Sequence, residues 1–363
     1  MPSITQVRCH PVRASLHTPF VTALRRADAV ESLLVEVVDD AGHSGWGEAP
    51  QVWRVTGESI AGAQACVSGP LQDVVLGRDP DDLAARLREV ATAVVGNLNA
   101  KAALDVALHD LAARRLGVPL ARLLGGTARE VHTDVTLSAG EAADLAAAAK
   151  ARVGEGFDVL KVKVGVRSEA GAAADIARVK AVREASGQDV RIRLDANQGW
   201  TPREAVRVIR ALEDADLRIE LVEQPVAAAD LDGLAWVSER VDTPILADES
   251  VYGIRDLVEV IRRRAADLVN VKLAKCGGLG PARTLLDLAD AYGLGTMVGS
   301  MMEGPVGVGA AASLVAARGT TLVNDLDAAW WLADSPVRGG LAYHGATVVL
   351  PDAPGLGVTG PAD

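Results

Sequence analysis

From about Val131 onward the chain alternates short apolar runs with longer amphipathic ones. The short runs are HTDVTLS, DVLKVKV, VRIRLDA, IELVEQ, PILADE, LVNVKL, GTMVGS and TLVNDLD. Most are separated by Ala-rich or periodic segments such as TPREAVRVIRALEDAD. Period two marks a strand and period 3.6 a helix, so this texture predicts consecutive βα units and a parallel sheet. Eight units over roughly 200 residues suit a closed barrel better than an open doubly wound sheet. Ahead of them the pattern is mixed α and β. SLLVEVVDDAGHSGWGEA reads as strand, turn, strand. In NAKAALDVALHDLAARRLG, residues Ala103, Leu104, Ala107, Leu108 and Leu111 form one helical stripe, and Gly117 followed by Pro119 supplies a stop. The closing HGATVVLPDAPGLGV reads as strand and turn that leave the barrel and return to the N-terminal part.

Composition narrows the class. The 363 residues are 49% hydrophobic and 23% charged, with a net charge of −11. That is a soluble globular balance, and no basic stripe points to nucleic acid or an anionic membrane. No run of 18 apolar residues occurs, and MPSITQVRCH has no apolar leader core. Cys9, Cys66 and Cys276 lie far apart without a CxxC, which argues against a disulfide framework or structural zinc and makes the cytoplasm the default.

The chemistry falls at the ends of the predicted strands. Lys163, Asp195, Glu223, Asp248 and Lys272 are spaced 32, 28, 25 and 24 residues apart, about one βα unit each. Barrel enzymes carry their functional residues at the C-terminal ends of the strands. Three acids on neighbouring strands repel one another unless a cation sits between them. All-oxygen ligands suit a hard ion, Mg²⁺ first and Mn²⁺ as the alternative. Glu249, beside Asp248, is a second choice that parity alone does not exclude. Lys163 and Lys272 flank the three acidic strands. Lys161 shares a strand face with Lys163. Two ammonium groups so close, near a dication, are expected to favour proton loss and yield a base near neutral pH. Asp325 and Asp327 form a second i, i+2 pair on the eighth strand.

This constellation resembles the enolase superfamily, muconate-lactonising subgroup, over nearly the whole chain. The matching stretches are LKVKVG, LDANQGW, ELVEQP, ILADES and VNVKLAKCGG. PFVTALRRADAVES, GWGEAP with VTGES, MVGSMMEG and NDLDAA look like the dipeptide epimerases, in particular the L-Ala-D/L-Glu type. The resemblance implies an α/β fold: a modified TIM-type (β/α)7β barrel over residues 129–334, with an α+β capping domain from 1–128 and 335–363. It implies that Asp195, Glu223 and Asp248 bind Mg²⁺, and that Lys163 and Lys272 are the acid/base pair, with Lys161 beside them. Asp325 and Asp327 would hold a substrate ammonium, and Arg25 a distal carboxylate. Thr136, Met301 and Glu303 would join the substrate site. One lysine would take the α-proton of a dipeptide's C-terminal residue, and the other would return a proton to the opposite face through a metal-stabilised enolate.

Two carboxylates on one strand face would repel a dianion such as muconate and waste their charge on an N-acyl amino acid. A free ammonium satisfies both. The DxD therefore separates a dipeptide epimerase from an N-acylamino acid racemase, an o-succinylbenzoate synthase or a muconate cycloisomerase. A non-catalytic binding protein on this fold would show a damaged lysine or ligand, and none is found. Gln51-Val52-Trp53-Arg54 departs from the family pattern and is expected to reshape specificity. Trp330 and Trp331 fit either the site or the core. GLGVTG spells GxGxxG but has no helix after it, so no pyrophosphate site is expected. No histidine lies between His132 and His344, against a histidine-based dehydratase. A homo-oligomer is left open.

Overall fold

The computed structural model describes residues 2–166 and 171–362. Three long antiparallel strands open the chain: β1 (Ile4–Val21), β2 (Arg26–Asp39) and β3 (Ser44–Pro50). Their sheet lies on the helix Leu98–Arg115, whose stripe from Ala103 to Leu111 is buried. The glycines of GWGEA make this approach possible. A Cβ at Gly47 would overlap the Ala103 carbonyl, and one at Gly45 the Ala107 carbonyl. Between them the Trp46 N–H donates to Asp110 Oδ2 at 2.8 Å.

HTDVTLS is divided. Its first part, β4 (Glu130–His132), pairs outside the barrel, and its second, β5 (Val135–Leu137), begins the parallel sheet. That sheet runs in sequence order through β6 (Val159–Lys163), β7 (Arg191–Asp195), β8 (Ile219–Glu223), β9 (Ile245–Ala247), β10 (Leu268–Lys272) and β11 (Gly295–Gly299). The expected eighth strand shrinks to two bridges. Asn324 meets Thr133 and Asp325 meets Gly299, which joins the two sheet edges. The connecting helices form as their sequence dictates. In Pro202–Asp214, Thr201 and Glu204 make a reciprocal cap, and Ala205, Val208, Ile209 and Leu212 turn inward.

The last segment makes β12 (Val337–Gly339), β13 (Ala342–His344), β14 (Thr347–Val349) and β15 (Val358–Pro361). The β13–β14 hairpin adds to β4, not to the N-terminal sheet. Only the stretch beyond it returns to the long helix, where the Leu356 N–H donates to Asp110 Oδ1 and Arg114 Nη2 to the Val358 carbonyl. Inside the barrel, Leu221, Leu246 and Met297 pack together, and the buried Arg193 donates to Met297 Sδ at 3.3 Å.

Candidate active site

The parallel register sets Lys163 beside Asp195 and Asp195 beside Glu223. Asp248 follows β9 directly, and Lys272 closes β10. Lys161, Lys163, Asp248 and Lys272 line one cavity at the C-terminal ends of the strands. Arg25, Thr136, Met301, Asp325 and Asp327 join its wall from other elements. Asp195 and Glu223 are buried and do not line it. Phe20, Ser300 and Met302 also face this cavity, and sequence reasoning assigned them no role. The Lys163 ammonium stands 5.8 Å from the Phe20 ring centre, a cation–π contact.

Each of the three acids is held by one oxygen. Asp195 Oδ1 accepts the Asn197 N–H at 2.8 Å, and Glu223 Oε1 accepts from Asn270 Nδ2 at 2.8 Å. Asp248 Oδ1 accepts from Lys275 Nζ at 2.5 Å. The other oxygens turn toward lysines. Asp195 Oδ2 pairs with Lys163, and Asp248 Oδ2 with Lys272 at 2.8 Å. Glu223 Oε2 has no hydrogen-bond partner, with Lys161 Nζ 3.6 Å away.

These groups carry an excess of acid. Asp195, Glu223, Asp248, Glu249, Asp325 and Asp327 are buried near Lys161, Lys163, Lys272 and Lys275. Burial, with Asp195 and Asp248 adding repulsion against the pull of Lys161, pushes Glu223 up to about 7. Burial and Asp248 push Glu249 up to about 8. The proton loss expected of the Lys161–Lys163 pair beside a dication is opposed at Lys161 by the carboxyl groups the fold brings to it, and Lys272 is raised as well. Burial disfavours their charge, but Asp325 and Glu223 hold Lys161 well above its usual range, and Asp248 and Glu223 raise Lys272. Mutual repulsion between lysines loses because the carboxyl groups outnumber them.

Among the described residues no three acidic, His or Cys side chains enclose an ion as they stand, because two of the acids rest on lysines. The donor set nonetheless fits a hard dication. Three carboxylates on neighbouring strands each keep one oxygen not held by its anchor, and the unpartnered Glu223 Oε2 and the raised acids call for added positive charge.

At the DxD, Asp327 Oδ2 accepts the Thr136 N–H at 2.7 Å and Trp331 Nε1–H at 3.0 Å. Asp325 pairs with Lys161. Burial opposes its charge, but Lys161 and Lys272 hold it below the usual range, whereas burial and Asp325 raise Asp327. Trp331 therefore backs the site rather than lining it. Arg25 meets no carboxylate among the described residues.

Glu303 does not line the cavity. It is buried, accepts the Met301 N–H at 3.0 Å, and is pushed up to about 8 by burial and by Glu48. That bond fixes the Met301 backbone. Glu48, from GWGEA, accepts the N–H groups of Gly304 and Gly307 at the start of the helix Pro305–Arg318, clipping the N-terminal sheet to the barrel. Trp53 and Arg54 lie outside the reaction cavity. They line a neighbouring one that shares Arg25 and Met302 with it, and Trp53 is 62% exposed. Burial pushes the Cys276 thiol up to about 12, so it is a packing residue. His109 is buried against Asp105, at 2.8 Å from its carbonyl.

Family comparison agrees along the whole chain. Residues 144–363 match the enolase C-terminal domain-like model, and residues 4–125 match the mandelate racemase / muconate lactonizing enzyme N-terminal domain. The chain is 42% identical to the L-Ala-D/L-Glu epimerase of Bacillus subtilis over 359 residues, covering 99% of this chain and 97% of that protein. The solved substrate-liganded complex of that epimerase superposes with a TM-score of 0.95, covering 99% of this chain and 100% of the other. The dipeptide epimerase of Enterococcus faecalis, solved with Mg and the dipeptide L-Leu-L-Tyr, is 39% identical with a TM-score of 0.93, covering 98% and 99%. The chain belongs to the enolase superfamily, in the branch that carries the mandelate racemase and muconate lactonizing N-terminal domain.

Proposed function

We propose that this protein is an isomerase, a Mg²⁺-dependent dipeptide epimerase that inverts the α carbon of the C-terminal residue, with L-Ala-L-Glu as the leading substrate. One observation carries the reading: Lys163 and Lys272 enter one cavity from either side of three strands that end in acids. The relatives solved with Mg and a dipeptide support it.

In this reading Asp195, Glu223 and Asp248 hold the ion. When bound, Mg²⁺ supplies positive charge to the substrate carboxylate as negative charge develops there, worth several kcal/mol. Lys163 and Lys272 address opposite faces of the α carbon. One removes the proton and the other delivers one, and the reverse reaction exchanges them. Lys161, locked between Asp325 and Glu223, keeps its proton and acts as a fixed charge rather than a base. Thr136 and Trp331 occupy Asp327 Oδ2, which leaves Oδ1 to accept from the substrate ammonium. Arg25, without a carboxylate of its own, pairs with an acidic side chain, and Met301 bounds the pocket that receives it.

The test is incubation with Mg²⁺ and L-Ala-L-Glu in D₂O. The glutamyl α-proton NMR signal should vanish while the second diastereomer appears. No exchange from any member of a dipeptide library, with exchange from N-succinyl amino acids, would overturn the dipeptide assignment and leave the proton chemistry intact.

A further inference from the structure

Lys272 and Lys275 grip the same acid from two sides. Lys272 lies in the cavity wall and holds Asp248 Oδ2 at 2.8 Å. Lys275, one turn further along in Leu273–Cys276, is buried behind the cavity and holds Oδ1 at 2.5 Å. Its ammonium also donates to the Asp248 carbonyl and, at 3.2 Å, to the Asn270 carbonyl. Three protons meet three acceptors, so Lys275 has nothing left for a substrate. It is an anchor, where Lys272 is a reactive group with one partner.

The same division recurs at the other acids. The Asn197 N–H holds one oxygen of Asp195 and Asn270 holds one oxygen of Glu223, at 2.8 Å each. Asn270 also contributes the carbonyl that steadies Lys275, so two of the three anchors are joined. Each carboxylate thereby has a single oxygen to offer. Mg²⁺ favours six single-oxygen ligands at short range and keeps several for water or substrate, whereas Ca²⁺ accepts more ligands and two oxygens from one carboxylate.

We propose that Lys275 is a positioning residue for the metal centre: it fixes Asp248 through Oδ1 so that Oδ2 alone meets the cation, and with Asn270 it imposes a geometry that favours Mg²⁺ or Mn²⁺ over Ca²⁺. The proposal rests on the reading of Asp195, Glu223 and Asp248 as ligands. Charge and geometry pull in opposite directions here, which makes the claim testable. If Lys275 acted only as a nearby positive charge, its removal would tighten the binding of every dication. If it acts by orientation, removal frees Asp248 to rotate and weakens the small octahedral ions.

The experiment is Mn²⁺ titration of the purified protein, reading free Mn²⁺ by electron paramagnetic resonance, with Ca²⁺ as competitor. Lys275→Met should raise the Mn²⁺ Kd about ten- to a hundredfold and let Ca²⁺ compete better than in the wild type. Lys275→Gln, which keeps a donor without the charge, should recover part of the affinity. An unchanged or lower Kd in both variants would overturn the proposal. Should neither variant fold, a crystal structure of the wild type with Mn²⁺ decides: Oδ2 on the ion and Oδ1 on Lys275 is expected, and a two-oxygen Asp248 or a displaced Lys275 refutes it. No Mn²⁺ uptake by the wild type would defeat the metal-site reading itself. Uptake with unaffected variants defeats only the role of Lys275.

Discussion

Replacing Lys272 or Lys163 by Met tests the two-face geometry most directly. Met preserves the volume of the stem and removes only the amine. Without Lys272, Asp248 keeps Lys275 on Oδ1, and without Lys163, Asp195 keeps the Asn197 N–H. Asp248 thus keeps a counter-charge, whereas Asp195 loses its only ion pair among the described residues, so the Lys163 variant bears the cost of a broken buried pair, about 3–5 kcal/mol, unless a cation takes its place. The chemical loss is of another kind. A positioned general acid or base contributes about 10²- to 10⁴-fold, or roughly 3–6 kcal/mol of barrier, so epimerisation should fall by at least that factor in either variant. The remaining lysine still reaches one face. Each variant should therefore exchange the α-proton of one epimer with D₂O and return deuterium with retention, and the two variants should choose opposite epimers. The assay is NMR of each purified epimer incubated separately with each variant and Mg²⁺. Epimerisation within tenfold of wild type, or exchange of the same epimer by both variants, would refute the arrangement.

Asp327→Asn keeps an acceptor for Thr136 and Trp331 but loses the charge. The KM for dipeptides should rise about ten- to a hundredfold, the value of a charge-assisted hydrogen bond, with a smaller change in kcat in steady-state kinetics. Arg25→Gln should lower the kcat/KM ratio of L-Ala-L-Glu over L-Ala-L-Ala about tenfold, read from parallel progress curves. Gly47→Ala forces the sheet away from the Ala103 carbonyl and should cost about 1–3 kcal/mol or more, measured by urea unfolding. Glu303 titrates near 8 in the folded protein against an ordinary 4.5. Between those values only the folded state keeps the proton, so stability falls as pH rises through that window. Glu303→Gln should flatten that fall in Tm between pH 5 and 9, and parallel curves would contradict it.

The barrel and the polar strand ends were legible because each leaves a local trace: an apolar run that stops on a charged residue. The split of HTDVTLS left none. Its first half belongs to β14, more than 200 residues later in the chain, and no periodicity within the segment reports that pairing. The eighth strand closes the sheet through two bridges only, too few ladder bonds to impose alternation. Asn270 was within reach, because it shares the inward face of β10 with Lys272 at i and i+2. Lys275 was not: its role depends on an acid 27 residues upstream, and nothing in LAKCGG reports that contact. Spacing places Lys161 beside Lys163, whereas the fold also brings Asp325 and Glu223 to Lys161, and their attraction decides the sign.

That assembly also explains why only two of the four lysines are suited to move. Lys161 is ion-paired with both Asp325 and Glu223, and Lys275 spends all three protons on fixed acceptors. Lys163 and Lys272 each pair with one carboxylate, and in both cases it is the oxygen not held by its anchor. A cation held as proposed above would therefore compete with these two ammonium groups for Asp195 Oδ2 and Asp248 Oδ2. On the reading proposed above, loading the site would release Lys163 and Lys272 together, on opposite flanks, and a dication would oppose the carboxylate pull that raises Lys272. The two amines that the proposed chemistry requires are the two that a cation would free, while Lys161 and Lys275 keep partners outside that competition.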